Sequence, residues 1–122
     1  DDLPCAAARK LLGEDYIIGV SAHNPAEAKA ALQSGADYLG CGAVFGTATK
    51  ADVKKLGTDG LAAICKAKGL PVVGIGGVTA DNYRKVRAAG ADGAAIVSGI
   101  LAQPDIRATV RAIAKVSQEF AK

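Results

Sequence analysis

The chain has 122 residues, of which 50% are hydrophobic, and it carries a formal net charge of +3. This length suits one domain with one core, and the apolar fraction excludes an intrinsically disordered chain. The basic residues are scattered rather than gathered on one stripe, which argues against a nucleic-acid partner. No stretch approaches the roughly 20 apolar residues that a membrane span needs, and no signal peptide is visible.

Three cysteines, Cys5, Cys41 and Cys65, lie far apart in the sequence. They form no Cys-x-x-Cys pair, so a zinc site is not expected. An odd number of widely spaced cysteines fits reduced thiols that pack as small core residues. We therefore expect a cytoplasmic protein.

Short apolar runs alternate with helical segments along the whole chain. The helices are predicted at residues 4–12, 25–34, 59–69, 79–90 and 104–121. The runs between them lie at residues 16–20, 38–41, 72–75 and 94–97. Because each run is short, β-branched and nearly apolar on both faces, we predict parallel strands that are covered on both sides.

A helix end, a Gly-Ala-Asp turn and a strand occur twice, at residues 34–40 and 89–95. Such repetition is typical of a (β/α) barrel, in which every helix returns the chain to the same rim. Four βα units make half of an eight-stranded TIM barrel. The first predicted element is already a helix, so we expect the complete fold to need another half, from the same polypeptide or from a second copy.

Glycines follow the third and fourth predicted strands, as Gly76-Gly77 and Ser98-Gly99. Paired glycines let main-chain N–H groups approach an anion, and the N–H groups at a helix start favour a phosphate. In (β/α)8 barrels, phosphate sites often follow strands seven and eight. The plainer alternative is that the glycines only permit tight turns. Two such motifs in these positions favour a phosphate site.

The predicted loop after the second strand runs to about Gly57 and carries Thr47, Thr49 and Lys50. Two hydroxyl groups and an ammonium group are donors that can hold a second polyanion. A loop of this length in a compact domain is usually functional. We therefore predict a second anion-binding region here.

Polar residues at two other places have two interpretations each. Ser21 is predicted to be an anion ligand rather than a nucleophile, since no activating base accompanies it. His23 is either a general acid/base or phosphate donor, or a structural residue at the rim. Asp1 and Asp2 either cap the first helix or, in the case of Asp2, bind magnesium beside a substrate phosphate.

Taken together, these strand ends resemble the thiamine-phosphate synthase family. The resemblance covers essentially the whole chain, and its most specific motifs are Ser21-Ala22-His23 and Thr47-x-Thr49-Lys50 combined with the glycine turns. It implies that residues 1–122 are the C-terminal four βα units of a (β/α)8 TIM barrel. It also implies a transferase that joins hydroxymethylpyrimidine pyrophosphate to thiazole phosphate, releasing pyrophosphate and forming thiamine phosphate.

The mechanism that the resemblance implies is dissociative: pyrophosphate leaves, a pyrimidine carbocation forms, and the thiazole nitrogen attacks it. Asp2 would help to hold Mg²⁺, Ser21 and Lys50 would contact the pyrophosphate, and His23 would be one of the substrate-binding residues. The residues assigned to the thiazole phosphate side of the site are Thr47, Thr49 and the main chain of Gly77, Val97 and Ser98.

Two departures from the family pattern bear on activity. The family often has proline at the positions of Ala43 and Gly46, so we expect a more flexible loop here. The first half of the barrel is expected to supply further substrate ligands and a second magnesium carboxylate, so the isolated chain could be inactive. The alternatives are a thiazole tautomerase that uses His23 as its base, and a non-catalytic phosphate-binding half barrel that forms a homo-oligomer.

Overall fold

A computed structural model describes residues 4–46, 56–67 and 69–121. The described residues form an α/β fold with one four-stranded sheet, in which neighbouring strands are parallel and lie in sequence order. The strands are β1 (Gly19–Ala22), β2 (Tyr38–Cys41), β3 (Val72–Ile75) and β4 (Gly93–Ala95). The helices are α1 (Cys5–Leu12), α2 (Pro25–Gln33), α3 (Gly57–Lys66), α4 (Tyr83–Ala88), α5 (Ser98–Leu101) and α6 (Ile106–Phe120). The predicted α/β class and parallel strands are confirmed.

Side-chain caps fix the starts of α2 and α6. The Asn24 Oδ1 accepts the Glu27 N–H at 2.8 Å, and Pro25 occupies the first helical position. The Asp105 Oδ1 accepts the Ala108 N–H at 3.0 Å. Each cap satisfies an N–H group that the first helical turn leaves without a partner.

Several predicted element boundaries were wrong. β1 begins at Gly19 rather than at Tyr16, and Tyr16 and Ile17 lie outside the sheet with 60% and 80% of their surface exposed. β4 ends at Ala95 rather than at Val97. α3 ends at Lys66, three residues early, and α4 begins at Tyr83 rather than at residue 79. Apolar runs mark strands by composition, but they do not mark where pairing starts or stops.

The helices cover one face of the sheet. Strand positions 20, 39 and 72 are register partners on this face, and Leu39 and Val72 are buried. The core behind them is formed by residues from α2, α3, α4 and the loops, including Ala31, Leu61, Ile64, Val44, Val78 and Val86. This face supplies the hydrophobic stabilisation of the fold.

The other face of the sheet is open in the described chain, contrary to the prediction of strands covered on both sides. Ser21 on β1 and Ile75 on β3 are exposed there, and Tyr38 is 39% exposed. The Tyr38 ring lies over Gly19 of the neighbouring strand, so that a methyl group at Gly19 would be 2.2 Å from the Tyr38 Cζ. The strands are thus buried on one side only.

The two Gly-Ala-Asp turns brace the beginnings of the strands in the same way. Asp37, before β2, donates its N–H to the Ile18 carbonyl and accepts the Ile18 N–H on its carboxylate, both at 2.8 Å. Asp92, before β4, makes the same two bonds to Val72, at 2.8 and 2.9 Å. The repeat seen in the sequence is therefore a repeated structural brace at the amino ends of the strands.

Arg9 ties α1 to the brace at Asp37. Its guanidinium donates to the carbonyl oxygens of Gly13, Tyr16 and Gly35 and to the Asp37 carboxylate, with distances from 2.6 to 3.0 Å. The Ile18 N–H and the Arg9 guanidinium hold the pKa of Asp37 below its ordinary value of 3.8. The amino ends of β1 and β2 are thereby joined to α1.

Cys41 on β2 and Cys65 on α3 are buried, and Cys5 on α1 is half-buried. Burial, with a smaller contribution from Cys65, raises the pKa of the Cys41 thiol to about 11. In the described ranges, no helix combines the length and apolarity needed to cross a membrane.

Candidate functional site

The turn after β3 is built from two glycines in the left-handed region of backbone space. The φ angles of Gly76 and Gly77 are 100° and 68°. A methyl group at Gly76 would lie 2.8 Å from the Ala43 Cα, and one at Gly77 would lie 2.8 Å from the Phe45 carbonyl oxygen. Both glycines are therefore required by backbone geometry as well as by close packing against the loop after β2.

The segment after β4 packs directly on that glycine turn. A methyl group at Gly99 would lie 2.2 Å from the Val78 carbonyl oxygen and 3.1 Å from the Thr79 Cα. Ser98 and Gly99 open the short helix α5, as predicted, and Val97 and Ser98 are exposed. The structure thus brings the predicted residues Gly77, Val97 and Ser98 to one place at the carboxyl ends of β3 and β4.

Ser21 lies at the other side of the sheet, on β1. Its register partners across the sheet are Gly40, Val73 and Gly93, so it belongs to the open face. Three inter-strand spacings of about 4.8 Å place β1 roughly 14 Å from β4. Ser21 and the Ser98 segment therefore lie at the same rim but far enough apart to serve two anionic groups.

His23 follows β1 and is held by Glu27, one turn into α2. The Glu27 Oε1 lies 2.8 Å from the His23 Nδ1 and also accepts the His23 main-chain N–H at 2.8 Å. The hydrogen bonds from the imidazole and from this N–H hold the pKa of Glu27 below its ordinary value. A carboxylate partner favours the proton on Nδ1, so that Nε2 is the ring nitrogen left for other partners.

An open groove of about 340 Å³ runs beside β1. Ser21, His23 and Glu27 line its end near the carboxyl rim, and Cys5 and Ser34 line the rest with parts of α2. The groove connects the polar residues after β1 with the unpaired edge of that strand.

Four predicted site residues fall outside the described residues: Asp2, Thr47, Thr49 and Lys50. Their predicted roles in magnesium and anion binding stay predictions. Within residues 4–46, 56–67 and 69–121, no group of three or more His, Cys, Asp or Glu side chains could hold a metal ion.

Glu27 and Asn82 are two residues of this rim that the sequence analysis did not assign to the site. Glu27 lies in the first turn of α2 and His23 lies just before the N-cap residue Asn24, so a spacing of four brings the two side chains together. The Asn82 side chain accepts the Thr79 N–H at 2.8 Å and donates to the Gly77 carbonyl at 3.0 Å. Its position five residues after the glycine pair gives no comparable signal.

Comparison with known proteins identifies the family of this chain. The family model described as thiamine monophosphate synthase matches residues 1–100. The thiamine-phosphate synthase of Coprothermobacter proteolyticus is 48% identical over 113 residues, covering 93% of this chain and 54% of the relative. That of Chloroflexus aurantiacus is 47% identical, covering 99% of this chain and 57% of the relative.

A solved structure, the thiamine phosphate pyrophosphorylase from Pyrococcus furiosus, superposes with a TM-score of 0.88 at 36% identity. It is matched by all of this chain, which covers 58% of that structure. The chain thus spans about half the length of the curated relatives it matches. By its matched residues, its identity to these enzymes and its fold, the chain belongs to the thiamine monophosphate synthase family.

Proposed function

We propose that this chain forms the C-terminal half of a (β/α)8 barrel enzyme that makes thiamine phosphate. In this proposal residues 1–122 are one structural unit, and the N-terminal half comes from the same polypeptide or from a second polypeptide. The reaction joins hydroxymethylpyrimidine pyrophosphate to thiazole phosphate and releases pyrophosphate.

The open face of the sheet supports the half-barrel part of the proposal. In a closed barrel this face would be the interior, where Tyr38, Val73 and Ile75 would fill space with side chains from the opposite strands. Instead Ile75 is 45% exposed, although its strand β3 is paired on both sides. An apolar residue at this position needs a cover that the described chain does not supply.

The two edges of the sheet also support the half-barrel part of the proposal. Exposed apolar residues precede the edge strand β1 and follow the edge strand β4; among them are Leu11, Tyr16, Ile17, Val97, Leu101, Ile106 and Val110. A second set of four βα units would pair with both edges and cover these side chains.

The contact between Gly99 and the Val78 carbonyl carries the functional part of the proposal. This contact joins the Gly76-Gly77 turn to the Ser98-Gly99 segment. The main-chain N–H groups of both segments can therefore bind one anion. We assign the thiazole phosphate to this place, with main-chain contacts from Gly77, Val97 and Ser98. An exposed phosphate held by N–H groups needs no charged side chain to fix its position.

The pyrophosphate belongs at the β1 side of the rim in this proposal. Ser21 would donate its hydroxyl to it, and Lys50 would supply positive charge. The Nε2 of His23 would donate to it when both ring nitrogens carry a proton. Thr47 and Thr49 would contact the thiazole phosphate side of the site. With the substrates held in this way, the residues mainly orient the two rings and stabilise the charge of the leaving pyrophosphate.

Magnesium would neutralise part of the pyrophosphate charge when it is bound. Asp2 is the candidate ligand on this chain, and the remaining ligands would come from the substrate, from water and from the N-terminal half.

The experiment is to mix the full-length protein with both substrates and Mg²⁺ and to measure thiamine phosphate and pyrophosphate. Equal amounts of both products support the proposal. Isomerisation of the thiazole without pyrophosphate release would favour the tautomerase, and phosphate binding without any turnover would favour the non-catalytic half barrel.

A variant tests the thiazole phosphate assignment within the same assay. Ser98→Asp places a negative charge at the proposed phosphate, so we expect the KM for thiazole phosphate to rise at least tenfold. Ala102→Asp adds the same charge at the opposite end of α5 and serves as the matched control. An unchanged KM in Ser98→Asp would contradict the assignment.

A further inference from the structure

Asn82 is connected to the glycine turn by two hydrogen bonds of opposite sense. Its Oδ1 accepts the Thr79 N–H at 2.8 Å, and its Nδ2 donates to the Gly77 carbonyl at 3.0 Å. Asn82 is half-buried and directly precedes α4, but it makes no side-chain cap to that helix. Its amide group therefore acts on the turn behind it and not on the helix ahead.

The contacts of the turn determine where its N–H groups point. In a trans peptide the C=O and the following N–H point in opposite directions. The Gly76 carbonyl accepts the Phe45 N–H at 3.0 Å, so the Gly77 N–H is directed away from the loop after β2. The Gly77 carbonyl accepts from Asn82, so the Val78 N–H is directed away from α4.

The next peptide of the turn is fixed as well. The Val78 carbonyl faces the Cα of Gly99, and the Thr79 N–H is taken by Asn82. In the portion of the chain that the structure describes, neither the Gly77 nor the Val78 N–H donates a hydrogen bond. Two successive N–H groups are thus left without a partner among the described residues, in a turn that Gly99 of the next loop contacts. Successive free N–H groups of this kind form the backbone nests that bind anions.

We propose that Asn82 is a positioning residue, which acts through the main chain of the turn to aim the Gly77 and Val78 N–H groups at the substrate phosphate. This inference rests on the proposed function for the identity of the phosphate. Without the Nδ2 donor, the Gly77 peptide can rotate, and rotation turns the Val78 N–H away from the anion. Gly77 has the freedom to rotate because it carries no side chain.

The test is a titration of the full-length protein with inorganic phosphate, followed by the amide NMR shifts of Gly77 and Val78. In the unmodified protein both amide protons should move downfield together. In Asn82→Ala we expect the phosphate affinity to fall at least fivefold and the two shifts to be lost. Asp105→Ala, which removes the side-chain N-cap of α6, should lower stability but keep the phosphate affinity.

A second variant covers the case in which Asn82→Ala does not fold. The exchange Asp81→Asn with Asn82→Asp keeps the composition and the local charge, and it keeps an Oδ1 acceptor for the Thr79 N–H. It replaces the donor to the Gly77 carbonyl by a carboxylate oxygen, which cannot donate and which repels that carbonyl. We expect this double variant to show the same fivefold loss, and unchanged phosphate affinity in it would overturn the inference.

Kinetics separate this inference from the proposed function. If the protein makes thiamine phosphate, the exchange should raise the KM for thiazole phosphate at least fivefold and leave the KM for the pyrimidine substrate unchanged. Equal rises in both would indicate a general structural role and overturn the inference. If the protein makes no thiamine phosphate but the amide shifts respond as described, the inference stands and the proposed function fails.

Discussion

The two rims of the sheet are built from similar short motifs, but they use their hydrogen-bonding groups differently. At the amino rim, Asp37 and Asp92 form braces in which each N–H and each carboxylate has a partner at the start of the neighbouring strand or just before it. At the carboxyl rim, the Gly77 and Val78 N–H groups have none within the described residues. A turn whose polar groups are paired internally stabilises the fold, whereas one that leaves donors unpaired is available for a ligand.

The largest effect is expected from Gly99→Ala at the carboxyl rim. The new methyl group would lie 2.2 Å from the Val78 carbonyl oxygen, so the two loops must separate. We expect a loss of about 3 kcal/mol of unfolding free energy, at the upper end of the range for overpacking. Phosphate affinity should fall at least tenfold, as measured by calorimetric titration.

Gly46→Ala is the matched control for this change, because a methyl group there would meet none of the described residues within 4 Å. It should leave stability nearly unchanged. Wild-type phosphate affinity in Gly99→Ala would show that the contact between the two loops does not matter for the ligand. It would contradict the assignment of ligand binding to the carboxyl rim.

An intermediate effect is expected from Asp92→Ala at the amino rim. The change leaves the N–H of buried Val72 without its partner, which should cost about 2 kcal/mol of unfolding free energy. Phosphate affinity should not change, because the brace lies at the opposite end of the strands. Denaturant unfolding and the same phosphate titration measure the two quantities.

Asp37→Ala sharpens this result within the amino rim. Both aspartates are exposed, but Ile18 is only half-buried whereas Val72 is buried. Water can therefore replace more of what the Ile18 N–H loses, and we expect a smaller loss of stability than in Asp92→Ala. A larger loss in Asp37→Ala would show that the Arg9 connections, and not burial of the strand, dominate the stability of this rim.

The smallest effect is a dependence of stability on pH. The folded protein lowers the pKa of Asp37, mainly through the Ile18 N–H and then through Arg9. The resulting stabilisation is complete well above the ordinary pKa of 3.8 and is lost as the pH falls through the lower value in the folded protein. The difference in unfolding free energy between wild type and Asp37→Asn should therefore shrink below about pH 4.

Salt separates the two causes of this dependence. Added salt screens the Arg9 contribution more than the short hydrogen bond from Ile18, so most of the pH dependence should persist at high ionic strength. A difference that stays constant across the acid range would contradict the assigned cause.

The sequence predicted the strands in the middle of the sheet better than those at its edges. β2 and β3 have the bounds expected from their apolar runs, since both are paired on two sides. β1 was placed too early because Tyr16 and Ile17 continue the apolar pattern without joining the sheet, and polar Ser21 lies inside the strand. An apolar run shows that a segment is buried, but an edge strand with one open face is only partly buried. Its bounds are therefore harder to predict from apolar residues.

The site was predictable to the extent that it consists of local motifs. The glycine pair and Ser98-Gly99 were recognisable because each is a contiguous segment, and their convergence followed from the order of the parallel strands. The role of Asn82 could not be read from the sequence, because its two bonds reach backward to the turn instead of forward to the helix. For the same reason the start of α4 was placed four residues early, at residue 79.

The Tyr38 ring over Gly19 couples two positions that are far apart in the chain. The ring fills the space above both strands, so the strand that carries glycine contributes no side chain of its own there. In related sequences, a larger residue at position 19 should occur together with a smaller one at position 38. Such paired variation would show that the side chains at the two positions fill the same space.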